Sequence, residues 1–350
     1  MSIIYFIIVI SILVFVHELG HLLSAKFFKV YCYEFAIGMG PKLISKKFKE
    51  TTYSIRLLPV GGFVSMAGDN DNVLESKENI IVPESRKLNN LAPIKRIIVM
   101  LAGVFMNFIF AWFLFSLVLL DNGSYGLERP PIVGDVIVDS PAYHAGLLKD
   151  DRIVEVIFSD KRSIKPDNYD QILTFSAGNT DEVTYIVDRQ GELLEFKITP
   201  YLKDDQYIVG VNLPEVEFVD INILNCVFYG LDFMMFNVDI VMTSLTHLLS
   251  GLGLDQLSGP VGMVQLTKEA SSYGFMSLVL LAAILSINFS IMNMLPLPVL
   301  DGGRVLITVC EMIIGKSINK KLESLIMGIS ASLLILLMLF ITFSDIFKLL

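Results

Sequence analysis

The chain is poor in charge. Of its 350 residues only 18% are Asp, Glu, Lys or Arg, while 53% are apolar and the mean hydropathy is +0.63. Soluble domains carry about 25% charged residues, so this composition excludes a disordered chain, a collagen-like one and a single soluble domain. Cysteine is nearly absent. Cys32, Cys226 and Cys310 are dispersed and odd in number, which excludes a disulfide framework and a cysteine-built metal site; they read as small apolar fillers. Met1-Ser2 lacks Lys or Arg and no small-x-small cleavage site follows Ile3–Val16, so the opening run reads as a retained first span reaching Ala25, not as a signal peptide. Basic residues are outnumbered in the long middle segment, where 121–275 holds 10 Lys/Arg against 24 Asp/Glu. A nucleic-acid partner is excluded on that balance.

What is present is apolar and clumped. Stretches 97–120, 270–300 and 324–344 carry no charge, and each is long enough to cross a hydrocarbon core about 30 Å thick, which takes about 20 helical residues. The expected fold is a polytopic α-helical membrane protein with four transmembrane helices, at 3–25, 97–120, 276–297 and 325–346. Lys26, Lys29, Lys95, Arg96, Arg304, Lys320 and Lys321 flank the span ends that the positive-inside rule puts in the cytoplasm. Segments 26–96 and 298–324 are then cytoplasmic, and 121–275 lies outside.

Within 128–215, β-type runs at 132–138, 152–158, 182–188, 193–199 and 207–211 recur with turn signals between them, and 169–175 reads as a short helix. Asp188-Arg189-Gln190-Gly191 is a hairpin loop in this reading. Residues 221–250 are apolar but carry Asp232 and Asp239 seven apart on one helix face, the pattern of an interfacial amphipathic helix. In the cytoplasmic loop, two β-type runs flank Pro59-Val60-Gly61-Gly62 and predict a membrane-associated β-hairpin over 51–66. Residues 69–90 are polar and expected to be mobile.

Two of the four histidines stand in His17-Glu18-Leu19-Gly20-His21. On a helix the two imidazoles share one face and can hold one metal, and Glu18 stands beside them as a general base. Ionisable groups inside a span are costly and read as functional by default. A hydrolytic zinc site needs a third protein ligand. Asp301 is the carboxylate of Asn293-Met294-Leu295-Pro296-Leu297-Pro298-Val299-Leu300-Asp301-Gly302-Gly303, where two prolines break a span and free backbone groups that must line a cavity or be buried in protein. Both motifs sit at cytoplasmic-side helix ends. Asn107 and Asn293 are buried amides that need partners, from substrate or from a neighbouring helix. Asn288 reads as helix packing, His144 and His247 as surface or packing residues, and Trp112 as lipid-facing or packing.

Together, His-Glu-x-x-His and Asn-x-x-Pro-x-Pro-x-Leu-Asp-Gly-Gly resemble the site-2 protease family of intramembrane zinc metalloproteases, and more narrowly its bacterial regulator-of-sigma-E protease branch. The likeness covers most of the chain: Phe35–Pro41 with 51–66 resembles the family's membrane-associated β-structure, 101–108 its second-span pattern, Ser258-Gly259-Pro260-Val261-Gly262 the motif before its third span, and 140–147 with Asp151-Arg152-Ile153 a PDZ domain. It implies Zn2+ held by His17, His21 and Asp301, Glu18 as catalytic base, and Asn293 and Asn107 as substrate-binding residues. It further implies regulated intramembrane proteolysis of single-span substrates, such as an anti-sigma factor or signal-peptide remnants, in a bacterial plasma membrane. Two departures stand out. Val104 replaces the usual proline, and there is room for one PDZ-like domain where several relatives carry two. A non-catalytic PDZ-bearing adaptor and a divalent-metal transporter remain the rival readings at this stage.

Overall fold

A computed structural model describes residues 1–349 except 70–80, 160–161, 177–178, 204–205, 250–258 and 317–318. Residues 70–80 of the polar 69–90 stretch and Ser258 of the Ser-Gly-Pro motif therefore lie outside the described residues, as does the side chain of His247. The chain forms two compact units, Met1–Asp121 with Asn222–Leu350, and Asn122–Ile221.

The first unit opens with helix α1 (Ser2–Phe27). Strands β1 (Cys32–Phe48) and β2 (Thr51–Met66) follow and form a sheet folded on itself, in which 42–48 runs antiparallel to 51–56 and 34–37 antiparallel to 62–65, while 34–37 and 52–55 pair in the same direction. Phe48 faces Thr51 and Lys42 faces Arg56, while Phe35 faces both Tyr53 and Val64, and Ala36 both Ser54 and Phe63. The two halves of β2 thus flank 34–37 and do not pair with each other. This replaces the expected hairpin over 51–66. Local alternation shows that two strands exist but not that an earlier segment inserts between them. The outer edge on one side is 62–66. One face of this sheet, with Phe35, Ile37, Tyr53 and Val64, packs on Leu19 and Leu22 of α1 around Cys32, Met66 and Val99.

Helix α2 (Pro93–Asn122) starts with proline at its first position, where the missing N–H costs nothing, and runs unbroken through Val104. The second unit then begins. Strand β3 (Ser124–Gly126) precedes helix α3 (Pro141–Ala145), which Ser140 caps by accepting the Tyr143 N–H at 3.2 Å and Gly146 ends at φ 90°. After β4 (Arg152–Phe158), β5 (Ser163–Ile164) and α4 (Tyr169–Ser176) come β6 (Val183–Arg189) and β7 (Glu192–Ile198), making an antiparallel sheet of order β5-β4-β6-β7. Positive φ at Gln190 (56°) and Gly191 (93°) gives the β6–β7 loop the primed-turn geometry that suits right-twisted strands. Short strands β8 (Tyr201–Lys203) and β9 (Gln206–Ile208) pair with each other, and β10 (Phe218–Asp220) pairs with β3.

Residues 132–138 form only isolated bridges, Ile132 to Arg152 and Val136 to Val211. Val133, Val156, Phe158, Ile172 and Val187 are core residues of this unit, each burial worth about 1.5–3 kcal/mol. Asp151 is buried at its rim. Burial alone would raise its pKa, but Arg189, at 2.7 Å from each carboxylate oxygen, and the Leu148 N–H hold it below the usual carboxylate range.

Back in the first unit, α5 (Cys226–Leu249), α6 (Pro260–Tyr273), α7 (Phe275–Met294), α8 (Asp301–Ile314) and α9 (Lys320–Leu349) complete the chain. Helix α7 ends three residues before the expected span end. Pro296 holds Leu295 in extended geometry (φ −60°, ψ 145°). Among the described residues five helices are long and apolar enough to cross a membrane, one more than the four expected, the fifth being Cys226–Thr246.

Candidate metal centre

Small residues let the helices that carry the centre touch. A Cβ at Gly20 would fall 2.3 Å from the Ala102 carbonyl oxygen, and one at Gly103 would fall 2.5 Å from His21 Nε2. With two glycines the backbones of α1 and α2 meet, which is how helices associate where lipid supplies no hydrophobic drive. Further round α2, Ser286 Oγ donates to the Asn107 carbonyl at 2.8 Å and Ser290 Oγ to the Val104 carbonyl at 3.3 Å, fastening α7.

These contacts set the imidazoles. His21 Nδ1–H donates to the Val99 carbonyl at 2.8 Å, so its Nε2 keeps a lone pair. That Nε2 lies 3.2 Å from His17 Nε2. Both face Asp301 Oδ2, at 3.0 Å from His17 and 3.4 Å from His21. Asp301 opens α8 directly after the Pro-x-Pro loop, and its two glycines permit that placement. A Cβ at Gly302 would meet the Met294 carbonyl at 2.2 Å, and one at Gly303 the Leu297 carbonyl at 2.1 Å.

The donor set fits a zinc ion. Tetrahedral Zn2+ with bonds of about 2.0–2.1 Å puts its ligand atoms about 3.3 Å apart, and the three atoms here are 3.0–3.4 Å apart. Asp301 Oδ2 is buried with no hydrogen-bond partner, as an oxygen reserved for a cation would be. Among the described residues this is the one His/Cys/Asp/Glu group of three or more at metal-ligating spacing.

A cavity of about 610 Å³ opens onto the cluster, lined by His17, Glu18, His21, Asn293 and Asp301. Asn293 Nδ2 donates to the Phe289 carbonyl at 2.9 Å. Asn107 is fully buried off the cavity wall, one turn beyond Gly103, and neither atom of its amide has a partner among the described residues. The sequence reading missed four other contributors. Phe289 packs edge-on against His17 with ring centroids 5.1 Å apart. Arg56 and Phe63 enter the wall from the sheet, and Arg304 reaches it from α8, paired with Asp69 at 2.6 Å. Arg304 directly follows the Asp-Gly-Gly motif, the one local signal available; for the others the sequence offered none.

Comparison with known proteins places residues 5–337 on the model of peptidase family M50. The chain is 31% identical over 423 residues to the regulator of sigma-W protease RasP of Bacillus subtilis, covering 99% of both chains. It is also 31% identical over 423 residues to the zinc metalloprotease RasP of Geobacillus kaustophilus, covering 99% of this chain and 98% of that one.

Proposed function

The chain belongs to peptidase family M50, and from that premise we propose that it is an intramembrane zinc metalloendopeptidase that cleaves single-span membrane proteins. One observation carries the reading. Two imidazole nitrogens and the carboxylate oxygen of a residue at least 280 positions further along converge within 3.4 Å on a cavity that Glu18 also lines.

Zn2+, held by His17, His21 and Asp301, would lower the pKa of the attacking water and polarise the scissile carbonyl. Glu18 takes the proton from that water and returns it to the leaving amine nitrogen. The Val99 carbonyl keeps His21 in the tautomer whose Nε2 is free to ligate. Gly62 sits over Glu18, its Cβ position 3.5 Å from Glu18 Cγ, so the 62–66 edge passes beside the base. A helical substrate hides its carbonyls, and an exposed strand edge can hold the unwound segment by strand addition. Val64 and Met66 on that edge line the same cavity. Asn293 on the cavity wall is assigned to holding substrate; Asn107, expected in the same role, is fully buried off that wall.

Helix directions support four crossings. Helices α1 and α2 run opposite ways, with His21 against Val99 and Gly103 against His17, and so do α2 and α7, with Asn107 against Ser286 and Val104 against Ser290. Helices α1 and α7 therefore run the same way. A lone crossing by α5 would reverse α7 and carry Asp301 away from the histidines, so α5 is assigned to the interface. By the lysine and arginine flanks, the metal centre faces the cytoplasmic side and 122–221, the PDZ-like unit, lies outside. The substrates assigned are single-span proteins such as an anti-sigma factor or signal-peptide remnants. B. subtilis RasP, by its name, is a regulator of sigma-W.

The test is elemental analysis of purified protein beside cleavage of a single-span reporter. Wild type should hold one zinc per chain and cleave; Glu18→Ala should hold zinc and not cleave. A reporter cleaved equally by both would remove the peptidase assignment.

A further inference from the structure

The sheet face turned away from α1 carries a charged assembly that the proposed chemistry leaves unused. Alternation along the strands puts Glu34, Ser54, Arg56, Phe63 and Ser65 on that face, since Ala36 pairs with both Ser54 and Phe63, and Glu34 with Ser65. Glu34 is 2% exposed. Its carboxylate accepts from Ser54 Oγ at 2.5 Å and from Arg56 Nη2 at 2.8 Å, with Lys42 Nζ at 3.0 Å. Burial would raise the Glu34 pKa, but these donors outweigh it and hold the group below the ordinary carboxylate range. Arg56 spans the sheet. One end of its guanidinium donates to the Gly40 carbonyl at 2.7 Å, the other holds Glu34, and the flat of the group lies 4.9 Å from the Phe63 ring centroid.

A buried ion pair is no cheap source of stability, because desolvating both charges costs nearly what their attraction returns. Its value lies in fixing geometry. The planar fork is held at two corners, so its face is set, and the face sets the ring it stacks on. Phe63 belongs to the 62–66 edge, and Phe63 and Arg56 both line the cavity of the metal centre.

We propose that the Glu34–Arg56 pair is a positioning device that fixes Phe63 and the 62–66 edge, so that an extended substrate docks in one register against the metal centre. The inference rests on the peptidase reading and on strand addition. Register decides which bond is cut. A slip of two residues keeps every side chain on its face but moves the chain by about 6.6 Å, which brings a different peptide bond to the metal. Glu34 and Arg56 touch no reacting atom and act through Phe63. Lysine in place of Arg56 keeps the charge but loses the fork and the stacked face; leucine in place of Phe63 keeps bulk but loses the ring.

The experiment uses full-length protein in proteoliposomes with a single-span substrate. For wild type, Arg56→Lys, Phe63→Leu, the double variant and Phe63→Tyr, it measures kcat, KM, bound zinc and the masses of the products. Phe63→Leu and Phe63→Tyr leave the ion pair intact, so the test survives if Arg56→Lys fails to fold. Arg56→Lys and Phe63→Leu should each raise KM about tenfold with kcat and zinc content held. Each should also add cleavage two residues to either side of the wild-type bond. The double variant should be no worse than either single, because both remove one shared interaction, and Phe63→Tyr, which keeps the ring, should cleave at the wild-type bond alone. Unchanged KM with a single cleavage position in both single variants overturns the proposal, as do additive losses in the double. A wild type that binds zinc yet leaves the substrate whole overturns the peptidase reading and this one with it. An active wild type indifferent to these changes overturns this one alone.

Discussion

Gly103 leaves no space between the second helix and the two imidazoles. An alanine there would put its methyl 2.5 Å from His21 Nε2 and 2.8 Å from His17 Cε1, well inside contact distance, and α2 is already tied to α7 through Ser286 and Ser290. Neither helix can retreat cheaply in a packed interior. Gly103→Ala should therefore lower bound zinc to less than half of wild type in elemental analysis, with cleavage falling in parallel; a variant that keeps full zinc would show that the imidazoles are less constrained than the distances state. The partners within one helix were legible from the sequence. His17 and His21 are one turn apart, and their Nε2 atoms meet at 3.2 Å. The glycine was not, because nothing in Leu101-Ala102-Gly103-Val104 says which neighbour its missing side chain admits.

At the scale of elements, the sheet formed by β1 and β2 is where sequence reasoning and structure part. Alternation in Thr51–Met66 is visible in the sequence, and so is the Pro-Val-Gly-Gly break. That both halves pair with the 34–37 segment, leaving 62–66 as an edge, depends on long-range pairing that period-two patterning does not encode. The edge carries a direct test of strand addition. Single prolines placed across Gly62–Ser65, at positions whose N–H points away from 34–37, leave the ladder to that segment intact; Val64 is kept, because its N–H donates to the Glu18 carboxylate. They should cut the cleavage rate of a single-span reporter at least tenfold while bound zinc and expression stay at wild-type levels, and an unchanged rate would reject the edge as the docking strand. The Pro-x-Pro loop is the opposite case. Its two prolines already forced a break, and α7 stops at Met294 for that reason; only the length of the helix before it was misjudged, because apolar residues continue past the last helical one.

For the molecule as a whole, the proposed membrane sidedness rests on the basic flanks of the spans, and it can be checked in cells. With a membrane-impermeant thiol reagent, a Glu192→Cys variant, on the β7 strand of the 122–221 unit, should label in intact cells. A Lys47→Cys variant in the loop between the first two spans should label only after lysis. Each is best made in a chain whose Cys32, Cys226 and Cys310 are replaced by serine or alanine, since all three are free thiols. The reverse pattern would invert the orientation while leaving the metal centre intact, because α1 and α7 still run the same way. Most of this architecture was open to the sequence: long uncharged stretches are bound to seek lipid, and basic flanks bias their direction. The choice between four crossings and five was not, since Cys226–Thr246 has the length and apolarity of a span.

By itself the sequence determined the apolar helices, the imidazole pair with its adjacent carboxylate, and the broken helix that delivers an aspartate, because each is settled by composition or by spacing within a few turns. Tertiary structure alone decided that Asp301 reaches His17 and His21, that 62–66 is an outer strand of the sheet, and that Arg56 bridges Glu34 and Phe63. Helical and strand periods tell which side chains share a face, whereas the meeting of two faces depends on glycine-sized gaps and pairings between residues far apart in the chain.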